Sequence, residues 1–367
     1  MKSGLEKVGL LLIGTGLALV IAEGALRIWA RQPDRRCVFP PQTVYTFRPD
    51  SALLPGCGGI VRFTTDGYGA RDIPGDGKKQ WLFIGGSTTE CLYLDDSATW
   101  PALFCQARGE SGYSIGKSGQ TSAEHVAQLE RYAPQLPEVK KVLVMCGLND
   151  MLKVLSDTAR CNNAYDDLAA EKSFTHTNQF ASQRGWQLTA LIRNVWRNAV
   201  PDTTGQYRQD VSGSQLRAWR ANRWLAPVLI ADSHFVQAHR AAGLQQFEKN
   251  LLRMIRAARA QQLSITFLTQ QAAWRSSASE EEQKRWWMGS LGDGQRQAGC
   301  AYYSPDFLCD ELARYNEVLQ RVCARENITC IQLPNAGEHS TGWFYDDCHY
   351  NKKGAQKLSA FLDSMVK

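Results

Sequence analysis

The sequence predicts an α/β protein in which helices sandwich a parallel sheet, with an N-terminal transmembrane helix and a helical insertion. Three observations lead to this prediction. Apolar runs such as residues 81–85 and 142–146 have the length and composition of buried strands. These runs alternate with longer stretches of helical pattern, as they do in parallel sheets that are covered on both faces. Residues 8–22, finally, are apolar and uncharged throughout.

The N-terminal segment, residues 1–30, is predicted to be a membrane anchor. The apolar run 8–22 continues past Glu23 and reaches the ~20 residues that a membrane-spanning helix needs, with Arg27 and Trp29 at the interface. A cleaved signal peptide and a buried core helix are the other two interpretations. Basic residues flank both ends of the run, so charge does not set its orientation. We expect a short cytoplasmic N-terminus and a main domain outside the cytoplasm.

Residues 31–77 are rich in Pro, Gly and Arg and are predicted to be a membrane-proximal lead-in, with a small hairpin formed by extended pieces at 43–47 and 60–64. The main domain is predicted to cover residues 78–367. Its expected elements, in order, are strand 81–85, a helix after Ser97, a strand ending near Ile115, helix 122–133, strand 142–146, helix 238–261, strand 264–269, helix 308–325, strand 328–332 and helix 352–366.

Residues 151–237 fit this alternation poorly and are predicted to form a helical insertion or lid beside the site. The segment contains Trp186, Trp196, Trp219 and Trp224. These side chains either fill the core of the insertion or line a sugar- or acyl-binding cleft. A second irregular stretch, residues 271–304, is expected to overhang the same edge of the sheet.

Composition restricts the function classes. The chain is 44% hydrophobic and 21% charged, which is ordinary for a globular protein. Its formal net charge is +6. Residues 1–36 carry six basic and three acidic residues, so half of this charge lies near the N-terminus. No basic patch or motif indicates nucleic-acid binding.

Eleven cysteines are many for a cytosolic enzyme and favour an oxidising compartment. None has the spacing of a zinc or redox motif, so neither a metal nor another cofactor is expected. The pairs Cys37–Cys57, Cys300–Cys309 and Cys323–Cys330 are disulfide candidates, and scattered buried thiols are the alternative. Cys348 is a further candidate for a bridge that would hold the neighbouring loop.

Candidate catalytic residues lie at both ends of the main domain. Ser87 follows strand 81–85 in a Gly-Gly-Ser turn, where open α/β sheets place their ligands. Asp346 precedes His349 by three residues near the C-terminus. A serine hydroxyl needs a histidine to accept its proton and a carboxylate to orient the imidazole, and this chain supplies all three.

Two further segments add candidate hydrogen-bond donors. Gly119 lies in Ser-Gly-Gln-Thr-Ser after the second predicted strand, and Asn149 lies in Gly-Leu-Asn-Asp after strand 142–146. A glycine allows a ligand to approach its amide closely, and an asparagine carries a side-chain NH2 group. Both groups are suited to hold the negative oxygen of a tetrahedral intermediate.

The four segments together resemble the SGNH (GDSL-type) hydrolase family, in the form of its membrane-anchored bacterial members. The resemblance covers about residues 78–367 and implies a flavodoxin-like three-layer fold. It implies that Ser87 is the nucleophile, that His349 is the general base and that Asp346 orients it. The amides of Ser87 and Gly119 and the side chain of Asn149 would form the oxyanion hole. Gly86 departs from the Gly-Asp-Ser form of the family's first block.

The resemblance implies an extracytoplasmic serine ester hydrolase without a metal or another cofactor. Tethered members of the family often act on O-acyl groups of cell-surface polysaccharide, so an acylated glycan is the expected substrate, with water or another hydroxyl as acceptor. One alternative is a non-catalytic glycan-binding protein or a partner of a membrane acyltransferase. The other is a lipase or thioesterase with an apolar acyl channel lined by residues 151–237.

Overall fold

The structure is a computed structural model that describes residues 2–29, 35–73, 75, 77–156, 173–176, 213–226, 229–230, 234–334 and 342–366. Its strands are β1 (Arg36–Cys37), β2 (Val44–Phe47), β3 (Val61–Thr64), β4 (Arg71–Ile73), β5 (Lys79–Gly85), β6 (Ser111–Ser114), β7 (Lys141–Met145), β8 (Thr175–His176), β9 (Leu229–Ile230), β10 (Ser264–Leu268), β11 (Tyr302–Tyr303) and β12 (Thr329–Ile331). Its helices are α1 (Lys2–Trp29), α2 (Ser87–Glu90), α3 (Trp100–Arg108), α4 (Ser122–Ala127), α5 (Leu148–Ser156), α6 (Gly213–Trp224), α7 (His234–Ala260), α8 (Glu280–Gln283), α9 (Pro305–Glu326) and α10 (Lys352–Met365).

The main sheet has six strands in the order β12-β10-β7-β5-β6-β4. All neighbouring pairs are parallel except β4 and β6, which are antiparallel. Counted along the chain from β5, the parallel strands have the spatial order 2-1-3-4-5. The order reverses between β5 and β7, and a doubly wound sheet binds its ligand at that point, beyond the carboxyl ends of the strands. The predicted parallel sheet is therefore confirmed, and its topology marks where a site belongs.

Burial explains why β5 forms the centre of the sheet. Trp81, Leu82, Phe83 and Ile84 are all buried, in agreement with a strand that is covered on both faces. Burial of each such side chain contributes about 1.5–3 kcal/mol. Two groups of helices flank the sheet: α3 packs with α10, and α7 packs with α4, α5 and α9.

Two predicted elements differ from the observed ones. Helix 122–133 ends as an α-helix at Ala127 and continues through a π turn (Gln128–Tyr132) into a 3-10 turn (Ala133–Gln135). Pro134 has no N–H, so it cannot continue the α-helical hydrogen bonds. The other difference is β4, which lies in the predicted lead-in but forms the antiparallel edge of the main sheet. The predicted hairpin is present, with β2 and β3 paired antiparallel.

Much of the predicted insertion, including Trp186 and Trp196, lies outside the described residues. The described part of the insertion includes α6, β9 and the beginning of α7. In the part of the chain that the structure describes, no helix combines the length and the apolar character that crossing a membrane requires.

None of the ten described cysteines forms a disulfide bond. The disulfide candidates Cys37–Cys57, Cys300–Cys309 and Cys323–Cys330 are therefore not bonded, and Cys348 forms no bridge. The thiols of Cys323 and Cys330 instead share a hydrogen bond. Cys348 is buried, with its Sγ atom 3.8 Å from Sδ of Met288. Seven of the ten described cysteines are buried, as the alternative interpretation expects, whereas Cys300 and Cys330 are partly exposed and Cys309 is exposed.

Candidate active site

Ser87 begins α2 directly after β5 and Gly86. Two glycines precede Ser87 where neighbouring atoms approach the backbone closely. A Cβ atom on Gly85 would lie 2.8 Å from the carbonyl oxygen of Met145 on the neighbouring strand, and one on Gly86 would lie 2.5 Å from Nδ2 of Asn149. Both approaches are too close for a side chain. A side chain at position 86 would require the Asn149 amide to shift from its observed position.

Asn149 lies in the first turn of α5, which follows β7 at the point where the strand order reverses. Its Nδ2 atom donates a hydrogen bond to the carbonyl oxygen of Gln120, at 2.8 Å. The bond joins the loop that contains Gly119 to the helix that contains Asn149. Gly119 has a φ of +79°, which favours glycine because other residues are strained there.

Buried carboxylates connect the Gly119 loop to its surroundings. Glu90, at the end of α2, accepts hydrogen bonds from the backbone N–H of Ser118 (2.9 Å) and from its hydroxyl. Asp150 accepts from the backbone N–H of Ser122 (3.0 Å) and from its hydroxyl. Burial raises the pKa of Asp150 to about 6 against the opposing effect of these bonds. The loop is thus tied on one side to the Ser87 helix and on the other to the Asn149 helix.

A tight turn before α10 explains the three-residue spacing of Asp346 and His349. Oδ1 of Asp346 accepts hydrogen bonds from the backbone N–H groups of Cys348 (3.1 Å) and His349 (3.0 Å). The turn places Nδ1 of His349 2.8 Å from Oδ2 of the same carboxylate. Asn351 ends the turn and caps α10, because its side chain accepts from the N–H of Gly354 at 3.0 Å.

The structure brings the two distant ends of the domain together. Nε2 of His349 lies 2.7 Å from Oγ of Ser87, although the residues are 262 positions apart. The Ser87, His349 and Asp346 side chains therefore form one continuous hydrogen-bonded chain. Gly119 and Asn149 line the same cleft as these three residues. All five residues singled out in the sequence lie at one site.

Electrostatics favours a charged Asp346–His349 pair. Burial by itself raises the pKa of Asp346, but the imidazole of His349 and several hydrogen bonds hold that pKa below its usual value. Burial opposes protonation of His349, yet the Asp346 carboxylate outweighs it and holds the pKa of His349 well above its usual value. The stabilised imidazolium is the form that a histidine takes after it accepts a proton.

Asp347, adjacent to Asp346, has different partners. Its Oδ1 accepts from Nε1 of Trp274 at 2.8 Å, and its Oδ2 accepts from the backbone N–H of Trp287 at 2.8 Å. Burial is the main cause that raises the pKa of Asp347 to about 6, and the nearby charge of Asp346 is the second. Asp347 therefore anchors the 271–304 segment, while Asp346 contacts the imidazole.

Two buried arginines of α6 stabilise the loops around this acidic pair. Arg220 donates to the carbonyl oxygen of Tyr345 at 3.3 Å. Arg223 donates to the carbonyl oxygens of Met288 (2.6 Å) and Tyr303 (3.2 Å), and its charge favours ionised Asp347. Helix α6, which lies in the predicted insertion, thus contributes directly to the support of the site.

Trp287 is a site residue that no motif in the sequence marks. Its Nε1 atom donates to Oδ2 of Asp346 at 3.0 Å, and its ring lies 5.0 Å from the ring of Trp219 in α6, with 38° between their planes. It lies 59 residues before Asp346 in an irregular stretch. The sequence gives one indirect indication of Trp287, which is the expectation that residues 271–304 overhang the edge of the sheet.

The site opens into a cleft of about 1300 Å³. Its lining includes Ser87, Gly119, Asn149 and His349. The lining also includes aromatic and polar side chains: Tyr93, Gln215, Trp219, Trp287, Ser290, Asp293 and Arg296.

Among the described residues, one group of side chains has the proximity needed for a metal ion. The ligand atoms of Asp346, Cys348 and His349 lie within 4.8 Å of one another. Nδ1 of His349, however, is bonded to Asp346, and its Nε2 faces Ser87. These contacts suit a proton-transfer site, and we assign no metal to the group.

No family model matches the chain, and no curated protein does. Among solved structures, the chain is similar to a catalytic mutant of an acetylxylan esterase from Geobacillus stearothermophilus (15% identity, TM-score 0.39, 80% of this chain and 96% of that one). It is also similar to a GDSL-like lipase from Bacteroides thetaiotaomicron (13%, 0.36, 80% and 92%) and to an α/β hydrolase from the metagenome of Lake Arreo, Spain (14%, 0.39, 80% and 99%). At these TM-scores the similarities carry no conclusion about the chemistry of this chain.

Proposed function

We propose that this protein is a serine ester hydrolase of the SGNH type, with Ser87 as nucleophile, His349 as general base and Asp346 as the residue that orients it. The observation that carries the proposal is the 2.7 Å contact between Ser87 Oγ and His349 Nε2, continued by the 2.8 Å contact between His349 Nδ1 and Asp346. Both contacts have the length needed for proton transfer.

In the first step, Oγ of Ser87 attacks the ester carbonyl carbon while Nε2 of His349 takes the hydroxyl proton. The carbonyl oxygen becomes negative and is held by the amides of Ser87 and Gly119 and by the side-chain NH2 group of Asn149. The C–O bond to the alcohol then breaks, and His349 returns the proton to the leaving oxygen. Ser87 is left acylated.

In the second step, His349 takes a proton from an incoming hydroxyl, whose oxygen attacks the acyl-serine. Water as acceptor gives a free acid, and another alcohol gives a transferred acyl group. The proton on His349 finally returns to Oγ of Ser87. The same residues serve both outcomes, so access of the acceptor to the cleft decides between hydrolysis and transfer.

The nucleophile is tested by labelling with a fluorophosphonate, which forms a stable bond to an activated serine. Peptide mapping after labelling is expected to place the adduct on Ser87. Absence of an adduct, together with absence of p-nitrophenyl acetate turnover, would favour the alternative of a non-catalytic glycan-binding or acyltransferase-partner protein. An adduct on another serine would contradict the assignment of Ser87.

We propose small O-acyl groups on cell-surface glycans as the substrate. The exposed Asp293–Arg296 ion pair of the cleft supports this, because a long hydrocarbon chain would remove water from these charges without replacing its hydrogen bonds. The lipase or thioesterase alternative predicts the opposite preference. Measured on p-nitrophenyl esters of increasing chain length, kcat/KM is expected to be highest for acetate, and a maximum at long chains would contradict the glycan substrate.

We further propose that α1 holds the protein at a membrane with the main domain outside the cytoplasm. Large apolar side chains of this helix, including Leu10, Leu11 and Ile13, are each about 70% exposed and are available to contact lipid. The full chain is expected to sediment with membranes, and a chain without residues 2–29 is expected to remain in the supernatant. Equal partitioning of both chains would contradict the anchor.

Replacement of Asn149 by alanine removes one of the three proposed oxyanion donors. We expect kcat for p-nitrophenyl acetate to fall by about 10²–10³, with a much smaller change in KM, because this donor acts mainly once charge develops. Steady-state kinetics measures both constants. An effect confined to KM would mean that Asn149 binds the substrate without stabilising the intermediate.

Replacement of Trp287 by phenylalanine keeps an aromatic ring but removes the donor to Asp346. The carboxylate loses a hydrogen bond that helps to orient it, and a bond to a charged group is worth about 1.5–3 kcal/mol, so we expect kcat to fall by about 10-fold or more. Asp346 then becomes more basic and stabilises the imidazolium more strongly, so the acid limb of the pH–rate profile is expected to move to higher pH. An unchanged limb would show that this bond does not influence His349.

A further inference from the structure

Two tryptophans on different segments form an aromatic surface inside the cleft. Trp219 lies in α6 and Trp287 in the 271–304 segment, with their ring centroids 5.0 Å apart. Both side chains are only partly buried, and both line the cleft that contains Ser87 and His349. Neighbouring Trp274 and Trp286 are buried in the core, so partial exposure distinguishes the cleft pair from tryptophans that fill space.

The orientation of this surface relative to Ser87 is set by hydrogen bonds. The indole N–H of Trp287 donates to Asp346 at 3.0 Å, and its backbone N–H donates to Asp347 at 2.8 Å. Asp346 in turn contacts His349, which contacts Ser87. A group that stacks on Trp287 is therefore held at a set distance from the nucleophile.

Polar side chains surround the aromatic pair. Gln215 lies one turn from Trp219 in α6, and Ser290, Asp293 and Arg296, which follow Trp287 in the chain, line the same cleft. Two adjacent indole rings with hydrogen-bonding groups beside them match a pyranose ring, which has C–H groups on its faces and hydroxyls at its edge. Asp293 and Arg296 form an exposed ion pair at 3.6 Å, and an acyl chain would remove water from these charges without replacing its hydrogen bonds.

We propose that Trp219 and Trp287 form a ring-binding platform that holds the sugar ring of an O-acylated glycan while its acyl group reaches Ser87. The inference rests on the proposed ester hydrolysis and adds to it the subsite that selects the alcohol portion of the substrate. Trp219 supplies binding surface only, whereas Trp287 also positions Asp346.

The test compares glucose pentaacetate, an acetylated pyranose, with triacetin, an acetylated polyol without a ring. For the full-length protein, kcat/KM is expected to be at least about 10-fold higher for the ring ester. Trp219→Ala is expected to lower the ratio of the two kcat/KM values about 10-fold, and Trp219→Phe, which keeps a flat ring, about 3-fold. Trp224→Ala, on the same helix but outside the cleft, is the matched control and is expected to keep the wild-type ratio.

A binding measurement separates failure of the platform from failure of the proposed hydrolysis. Glucose pentaacetate is titrated into Ser87→Ala, which cannot form an acyl-enzyme, and tryptophan fluorescence is recorded. Saturable quenching that disappears in Ser87→Ala/Trp219→Phe supports the platform even if neither ester is turned over. Turnover of triacetin with no ring preference and no quenching would overturn the platform and leave the hydrolase proposal standing. Thermal melting shows whether each variant folds. If a tryptophan variant does not fold, two measurements still decide: the wild-type ratio of kcat/KM for the two esters, and the titration of Ser87→Ala with glucose pentaacetate.

Discussion

Replacement of Ser87 by alanine is expected to lower kcat/KM for p-nitrophenyl acetate by about 10⁴-fold or more. Without Oγ there is no acyl-enzyme, and His349 has no hydroxyl to deprotonate at this position. The donors near Gly119 and Asn149 remain, so a small rate above the uncatalysed reaction is expected to persist. The measurement is steady-state hydrolysis at high enzyme concentration, with a labelled fluorophosphonate as an independent probe of the same residue.

The Ser87 variant is expected to fold normally. Its side chain is partly exposed, and its hydroxyl contacts His349 without filling a core position. Ser156→Ala is a matched control, because Ser156 also lines the cleft but its hydroxyl donates to the backbone carbonyl of Lys153. Equal turnover by wild type and Ser87→Ala would refute the serine mechanism. Equal loss in Ser87→Ala and Ser156→Ala would indicate a general effect on the cleft.

Sequence reasoning located Ser87 and Asn149 because both follow strongly apolar strands. Strands β5 and β7 are buried on both faces, so their hydrophobic runs are continuous and their ends are clear. The pairing of Asp346 with His349 could also be predicted, because it depends on a short local turn. A carboxylate that accepts from the second and third backbone N–H groups after it produces this spacing within one short segment.

The contacts that complete the site could not be predicted in this way. The bond from Trp287 to Asp346 joins positions 59 residues apart, and Arg220 reaches the carbonyl of Tyr345 across 125 residues. Trp287 lies outside any helix or strand, and the helical pattern of α6 does not indicate which distant carbonyl Arg220 contacts. The edge strand β4 was also missed, because three residues in a segment rich in Pro and Gly carry too little alternation to indicate a strand.

Replacement of Asp346 by asparagine is expected to reduce kcat by about 10³–10⁴ while the fold is retained. Oδ1 faces the fixed N–H groups of Cys348 and His349, so the amide oxygen must take that position. The new NH2 group then occupies the position of Oδ2, facing Nδ1 of His349. Nδ1 must accept from this group, which places the imidazole proton on Nε2. In that tautomer His349 cannot accept the proton of Ser87.

The pH dependence gives the Asp346 prediction a second, independent measurement. Because Asp346 holds the pKa of His349 well above its usual value, wild-type activity is expected to decline with falling pH at a midpoint above about 6.5 as the imidazole becomes protonated. Without the carboxylate the pKa of His349 falls, so the acid limb of the Asp346→Asn variant moves to lower pH. The shift is opposite to that expected for Trp287→Phe.

Asp347→Asn is the matched control for this pair, since it changes the adjacent carboxylate in the same way. Asp347 accepts from Trp274 and from the backbone of Trp287, so its loss is expected to loosen the 271–304 segment and lower the melting temperature. The tautomer of His349 is still set by Asp346, so kcat is expected to fall less than about 10-fold. If Asp347→Asn instead shows the large kcat loss and Asp346→Asn retains near-normal activity, the carboxylate that orients His349 has been assigned to the wrong residue.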